Sequence, residues 1–402
     1  MKIRSITYFL NPKYPLDENA LRKAGDFLAQ AKSTYEAAGY EVQTTRLATI
    51  PFPVLLHGRL EETPLFAQKM SEMLKQIGVA YAALGPALIE FPQSYEVIPE
   101  AISASENIFF GGVMADKKNG ISLQAIKACA KIMQRASTIT ADGFSNLRFA
   151  ALANVRAGAP FFPAAYLDGD VPAFAIATEA ADLAVNAFAE NRTLDDGRRR
   201  LISEIEKHGQ AIAQIANTAL PYKKFVGIDF SFAPFPDDAH SLGRAVENLG
   251  VPKIGLHGSL AAAAILTEAV DRADFPHTGF SGFMQPVLED SVLAQRAAEG
   301  TLTIKDALLY SAVCGTGLDT VPLAGDTTAE QMTPLLLDLS ALAMRLDKPL
   351  TARLMPVPGK KAGDATEFDF TFFANSRVMA LDSEPLNMPL GGNESFALKE
   401  KR

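Results

Sequence analysis

The chain has 402 residues, with 38 Lys plus Arg against 46 Asp plus Glu, a formal charge of −8; 48% of residues are hydrophobic and 21% charged. That composition excludes a disordered chain, and the acidic balance leaves no broad positive field for nucleic acid. Two cysteines, Cys129 and Cys314, exclude a disulfide scaffold and a four-cysteine zinc site and fit a reducing compartment.

The N-terminal apolar stretch is broken by Asn11 and Pro12 and lacks the long apolar core of a signal peptide. The most apolar helical stretch, residues 260–270, is too short to span a bilayer, so a soluble, cytoplasmic protein is expected. Residues 2–10 read as a strand. Asp17 caps a helix that Gly39 stops, and 40–50 is strand-like. Thr63-Pro64 opens a helix ending at Gly78, followed by a buried strand over 79–84. A short helix over 95–103 leads to a strand over 107–113. Ser122 opens a helix to about residue 136, and 147–155 is a strand again.

In the second half, 174–177 is strand-like before a helix to about residue 188. Residues 196–220 form a long amphipathic helix with Leu201, Ile205, Ile212 and Ile215 on one stripe. Residues 225–231 form a strand, Asp238 caps a helix that Gly250 ends, 253–256 is a strand, and Ser259 caps an alanine-rich helix. Thr303 with Asp306 and Thr328 with Gln331 resemble capping boxes. Strands around 351–357 and 367–373 close the chain. This alternation predicts a mainly parallel sheet in one large α/β barrel domain over residues 1–402.

In parallel α/β folds ligands bind beyond the C-terminal ends of strands, which directs attention to four clusters. In the first, Asp229 lies inside an apolar strand, where a carboxylate needs a partner, with Asp237, Asp238 and His240 following. Carboxylates and an imidazole can hold a divalent metal; equally, Asp238 can be a helix cap and His240 a surface side chain. In the second, Thr278, Gly279, Ser281 and Gly282 can form a backbone cradle for an anion, with Glu289 and Asp290 next. Those two acids equally suit a helix start. The third, 312–327, holds Cys314, Asp319 and Asp326 among three glycines; a thiol at a helix C-terminus is better read as buried and inert. In the fourth, Arg148 sits in a hydrophobic strand and must find an acceptor, a ligand anion or a structural Asp. Asn154 follows, then a Pro160-Phe161-Phe162-Pro163 loop that can wall or cover a site.

Ile3-Arg4-Ser5-Ile6-Thr7 and the runs 148–166, 228–240, 279–290 and 314–326 together resemble the family called domain of unknown function 711, across nearly the whole chain. The resemblance is strongest over 148–154 and 160–166. It implies the pyruvate formate-lyase-like fold group of glycyl radical enzymes: a ten-stranded α/β barrel of two antiparallel five-stranded halves, here about 1–170 and 171–402. Those enzymes keep their radical glycine in an Arg-Val-x-Gly stretch, and Arg377-Val378-Met379-Ala380 has alanine in its place. Stored-radical chemistry is therefore not expected.

The expected function is an enzyme acting on a small anionic metabolite, carboxylated or phosphorylated, by metal-assisted or acid–base chemistry. Asp229, Asp238, His240 and Glu289 are the candidates for proton transfer. Asp229, Asp238, His240, Asp319 and Asp326 are the candidate ligands for a divalent metal such as Mg or Zn. Arg148, Asn154, Ser281, Gly282 and Cys314 are the candidates for holding substrate. The alternative is a non-catalytic small-molecule-binding or regulatory protein using the same cavity. The expected partner is a small-molecule ligand, with a homodimer allowed and neither nucleic acid nor membrane.

Overall fold

Eleven strands join one sheet in the computed structural model, which describes residues 1–189 and 193–401. They are β1 (Lys2–Leu10), β2 (Val42–Pro51), β3 (Tyr81–Ala87), β4 (Ile108–Asp116), β5 (Gly120–Ser122), β6 (Phe149–Ala153), β7 (Ala173–Glu179), β8 (Lys224–Asp229), β9 (Gly317–Ala324), β10 (Leu350–Val357) and β11 (Ser395–Phe396). The main path runs β8-β7-β1-β2-β3-β4-β6-β10-β9, and β5 joins β4 to β11. Within it β1, β2, β3, β4 and β6 run parallel to one another. The direction reverses twice, where β7 meets β1 and where β10 meets β6; β8 and β9 then continue parallel to β7 and β10.

The expected ten-stranded barrel is thus met by an α/β sheet of eleven strands that continuous ladders do not close. Between its ends β8 and β9 lies an irregular segment joined by single parallel bridges: Ile228 with His277, Ser231 with Gly282, and Pro286 with Asp319. Strands of the parallel block are buried on both faces, as helices packed over a parallel sheet require. No helix among the described residues is long and apolar enough to cross a membrane.

Local signals placed most helices well. The Asp17 side chain accepts from Ala20 N to start the helix Glu18–Ala37, and Gly78 ends Thr63–Ile77 in the left-handed conformation. Ser122 caps Leu123–Ala136, and both capping boxes form, with Asp306 serving as well as Gln331. Four expectations need correction. Asp238 caps no long helix: Asp237 accepts from His240 N at the short turn Asp238–His240, and Ser241 caps Leu242–Asn248. Gly258, not Ser259, stands at the cap of Ser259–Arg272, with φ 106°. Residues 253–256 form a turn carrying only one Ile254–Leu256 bridge. Residues 367–373 are irregular, with Phe368, Phe370 and Phe373 packed on Phe144 instead of paired in a ladder.

The glycine-rich segment read as a loop contains β9. Gly317 is what permits it: a Cβ there would meet Thr351 O at 2.4 Å, so only glycine lets β9 enter against β10. Asp290 is the knot of the second half. It is fully buried; Oδ1 accepts from Ser241 Oγ and from Val292 N and Leu293 N, and Oδ2 accepts from Leu242 N and Gly243 N. One carboxylate therefore satisfies the starts of two helices, Leu242–Asn248 and Ser291–Ala298. Asp290→Ala is expected to cost about 2–4 kcal/mol, since two caps at roughly 1 kcal/mol each are lost and buried N–H groups are orphaned. Urea denaturation of both proteins measures it, and a loss within experimental scatter would deny Asp290 this role.

Candidate functional site

The strand ends gather polar side chains around one cavity of about 100 Å³. Ala177 and Thr178 of β7 and Asp229 of β8 line it at the C-terminal ends of those strands, while Arg4, Arg46, Tyr81 and Phe109 enter from the N-terminal parts of β1 to β4. Glu289, Asp319 of β9 and Arg353 of β10 complete the polar side.

Those charges are organised as a chain. Arg4 Nη1 donates to Glu179 Oε2 at 3.1 Å and to Pro234 O at 3.2 Å, and its Nη2 donates to Glu289 Oε2. Glu289 Oε1 accepts from Arg353 Nη2 at 3.1 Å, and Arg353 Nε donates to Asp319 Oδ1 at 2.6 Å. Gln43 Nε2 adds a 2.7 Å bond to Glu179 Oε2. Two carboxylate oxygens in this buried set, Glu179 Oε1 and Asp319 Oδ2, have no hydrogen-bond partner among the described residues. Burial drives the Asp319 carboxyl above its ordinary range and the nearby Glu289 charge adds to this, outweighing the attraction of Arg353.

Arg46 stands apart. Its Nε donates to Thr44 Oγ1 at 2.9 Å, and its guanidinium lies 5.1 Å from the Phe162 ring centre and 5.9 Å from that of Tyr81. It forms no ion pair with a carboxylate among the described residues. Burial, and then the like charge of Arg4, lower its pKa to about 9, which leaves it a cation at neutral pH. The remaining wall is largely aromatic: Phe109, Phe161, Phe162, Phe370 and Phe372 with Tyr81.

Asp229 faces the cavity but its oxygens are taken. Oδ1 accepts from Ser281 N at 2.8 Å and Ser231 Oγ at 2.5 Å, and Oδ2 from Phe280 N at 3.0 Å. Burial raises its pKa against these donors. A Cβ on Gly279 would lie 2.3 Å from Asp229 Oδ2, so glycine is needed for the 279–282 turn to wrap the carboxylate. The anion cradled by that turn is thus the protein's own Asp229.

Of the residues proposed from sequence, Asp229, Glu289 and Asp319 meet at this cavity. The others lie elsewhere. His240 Nδ1 is 2.8 Å from Asp237 Oδ1, and Asp238, exposed, bonds Arg244 and Ser291. Asp326 is exposed in the turn after β9. The five proposed metal ligands are therefore not brought together, and no group of three or more His, Cys, Asp or Glu is arranged for a metal among the described residues. Arg148 donates to Ser105 O at 2.5 Å, away from the cavity wall, and burial lowers its pKa to about 10. Asn154, at φ 56°, donates to Asp347 Oδ1 on a separate cavity beyond the parallel block. Ser281 Oγ accepts from Phe230 N, and Gly282 N donates to Phe230 O, so both serve the irregular segment's pairing. Cys314 is buried, its Sγ accepting from Gly317 N at 3.2 Å.

Sequence reasoning missed Arg46, Arg353 and Glu179 and used Arg4 only within the family resemblance. A signal was present: the requirement for an acceptor, applied to Arg148, applies equally to arginines inside the strands that became β2 and β10.

The family model described as "Uncharacterised ACR (DUF711)" matches residues 1–375. A UPF0210 protein of Pyrobaculum aerophilum is 31% identical over 345 residues, covering 81% of this chain and 76% of its own. UPF0210 proteins of Methanopyrus kandleri and Neisseria meningitidis are 29% and 28% identical, covering 87% and 85% of this chain and 82% and 80% of their own.

Because the fold favours protonated Asp319, that group's contribution to stability is fully present below the ordinary Asp value near 4 and is lost as pH rises through its raised value. Asp319→Asn keeps the shape and places its amide where Oδ2 has no partner. The stability of wild type relative to Asp319→Asn should therefore fall as pH climbs from about 4 toward neutrality. Paired melting curves across that range test this, and a difference constant with pH would show that Asp319 is not raised.

Proposed function

This chain belongs to the DUF711 family, and we propose that it is an enzyme that docks a small anionic molecule on Arg46 and exchanges a proton with it through Asp319. The observation that carries the reading is Arg46: a half-buried cation facing a cavity, with neighbouring cations paired and itself without a carboxylate among the described residues. An uncompensated charge withdrawn from water costs several kcal/mol, and an anion supplied from outside removes the cost. Arg4 and Arg353 share the Glu289 carboxyl group between them. Asp319, with its buried free oxygen, is the group suited to carry a proton to a bound molecule, and general acid–base help of this kind is worth roughly 10²–10⁴-fold in rate.

The same proposal takes the 277–286 segment as a tenth strand that completes a barrel around the cavity. Its support is the three parallel bridges to β8 and β9, and the sharing of Glu289 by Arg4 of β1 and Arg353 of β10, strands that four others separate in the sheet. Five strands would then run each way, as the pyruvate formate-lyase-like group implies, with Ala380 still standing where a radical glycine is required.

Arg46→Met tests the anion reading with two readouts of opposite sign. In anion-free buffer the variant should melt higher than wild type, because an unpaired cation is replaced by an apolar side chain against Phe162 and Tyr81. In 10–100 mM acetate, benzoate or phosphate, wild type should gain stability by mass action and the variant should not. A variant that melts lower in both buffers and responds to anions as wild type does would mark Arg46 as a packing residue.

A further inference from the structure

We infer that the molecule this cavity takes is a planar aromatic monocarboxylate bearing a hydroxyl on its ring, and not a phosphate ester. The inference rests on the reading of Arg46 as the anion's anchor and names the chemistry of what is anchored.

Charge is the first argument. Arg4 and Arg353 stand against the two carboxylates Glu179 and Glu289, and the Asp319 carboxyl beside Arg353 is favoured in its protonated form, so one cation, Arg46, is left to be neutralised in the cavity. A carboxylate brings one negative charge. A phosphate monoester brings close to two, and the second would sit against a wall of phenylalanines with nothing to balance it. Geometry is the second. Thr44 holds Nε, and Phe162 and Tyr81 lie against the group, so the planar fork is fixed while no protein bond engages Nη1 or Nη2 among the described residues. Two parallel N–H groups in one plane match the two oxygens of a carboxylate.

Size and surface are the third. A volume of about 100 Å³ is of the order of the roughly 150 Å³ engineered cavity that admits benzene, with the remainder of the ligand free to reach the open mouth. Five phenylalanines and Tyr81 line it, and rings prefer the edge and offset contacts that such a wall offers. The fourth argument is Asp319 Oδ2, a buried oxygen without a partner on a residue only 1% exposed that lines this cavity. With Oδ1 held by Arg353 Nε, the acid proton lies on Oδ2, and a hydroxyl oxygen on the ligand would accept it in a hydrogen bond, which removes a standing cost of about 1–3 kcal/mol.

Calorimetric titration of the full chain with 4-hydroxybenzoate, benzoate, acetate and glycerol 3-phosphate tests the inference. The expected order of affinity is 4-hydroxybenzoate, then benzoate, then acetate, with glycerol 3-phosphate weakest. Arg46→Gln should weaken all the carboxylates by about tenfold or more. Phe372→Ala, a change at a half-buried ring, should weaken the two aromatic acids and leave acetate as it was. Circular dichroism and melting of both variants confirm that they are folded, and Arg46→Lys, which keeps the charge and loses the fork, should fall between wild type and Arg46→Gln. If glycerol 3-phosphate binds through Arg46 and the aromatic acids do not, or if acetate equals benzoate, the aromatic monocarboxylate is wrong while the anion site stands. Equal binding of benzoate and 4-hydroxybenzoate would remove the part assigned to Asp319. If no anion's binding depends on Arg46, the anion site itself falls.

Discussion

The chain of charges from Glu179 through Arg4, Glu289 and Arg353 to Asp319 is the constraint on which the centre of this fold depends. Its members stand on β7, β1, the turn at residue 289, β10 and β9. Charges taken from water are tolerable only when each finds its partner, and removing one partner of a buried pair typically costs about 3–5 kcal/mol. The chain therefore admits one arrangement of both parallel blocks. Arg4 and Arg353 share one carboxylate although β2, β3, β4 and β6 lie between their strands in the sheet, so Glu289 ties together two strands that no ladder joins.

What could be read from sequence divides along the range of the interaction. Asp17, Ser122, Thr303 and Thr328 act on backbone three residues away, and their caps formed as the local pattern required. The helix cap expected at Asp238 belongs to Ser241, three positions on, because two acids and a serine compete there and Asp237 takes the short turn before it. β9 was hidden because its pairing begins at a glycine whose need is imposed by Thr351 O, 34 positions away in sequence, and nothing local announces that contact. The site was legible only in part for the same reason. Asp229, Glu289 and Asp319 follow from looking at the ends of strands. Arg46 and Arg353 do not, since they lie inside their strands, where only the demand of an arginine in an apolar strand for an acceptor points to them.

The opposed directions of the two blocks explain why looking beyond strand ends led to two different places. The C-terminal ends of β7 and β8 open on the charged cavity, and those of β1, β2, β3, β4 and β6 open on the opposite side, where Asn154 was found. A rule framed for sheets running one way points to both ends of a sheet whose halves are reversed. Charge pairing separates them. At the second opening the basic side chains are exposed and several meet acids there or nearby, as Lys13 meets Asp170, Lys117 meets Asp347 and Lys118 meets Glu90. In the first, one cation is left over.

That leftover cation is unfavourable for the empty protein. Its contacts with Phe162 and Tyr81 return about 0.5–2 kcal/mol, less than the several kcal/mol that burying an unpaired charge removes. Nearby carboxylates that could neutralise it are committed elsewhere, Glu179 and Glu289 to Arg4 and Arg353, and Asp229 to the 279–282 turn. Among the described residues the pairing scheme thus leaves Arg46, at the cavity, as the cation of this set without a carboxylate. A fold that commits three buried carboxylates to other donors, but leaves a fixed guanidinium fork at a cavity wall, holds that fork for something that arrives from outside.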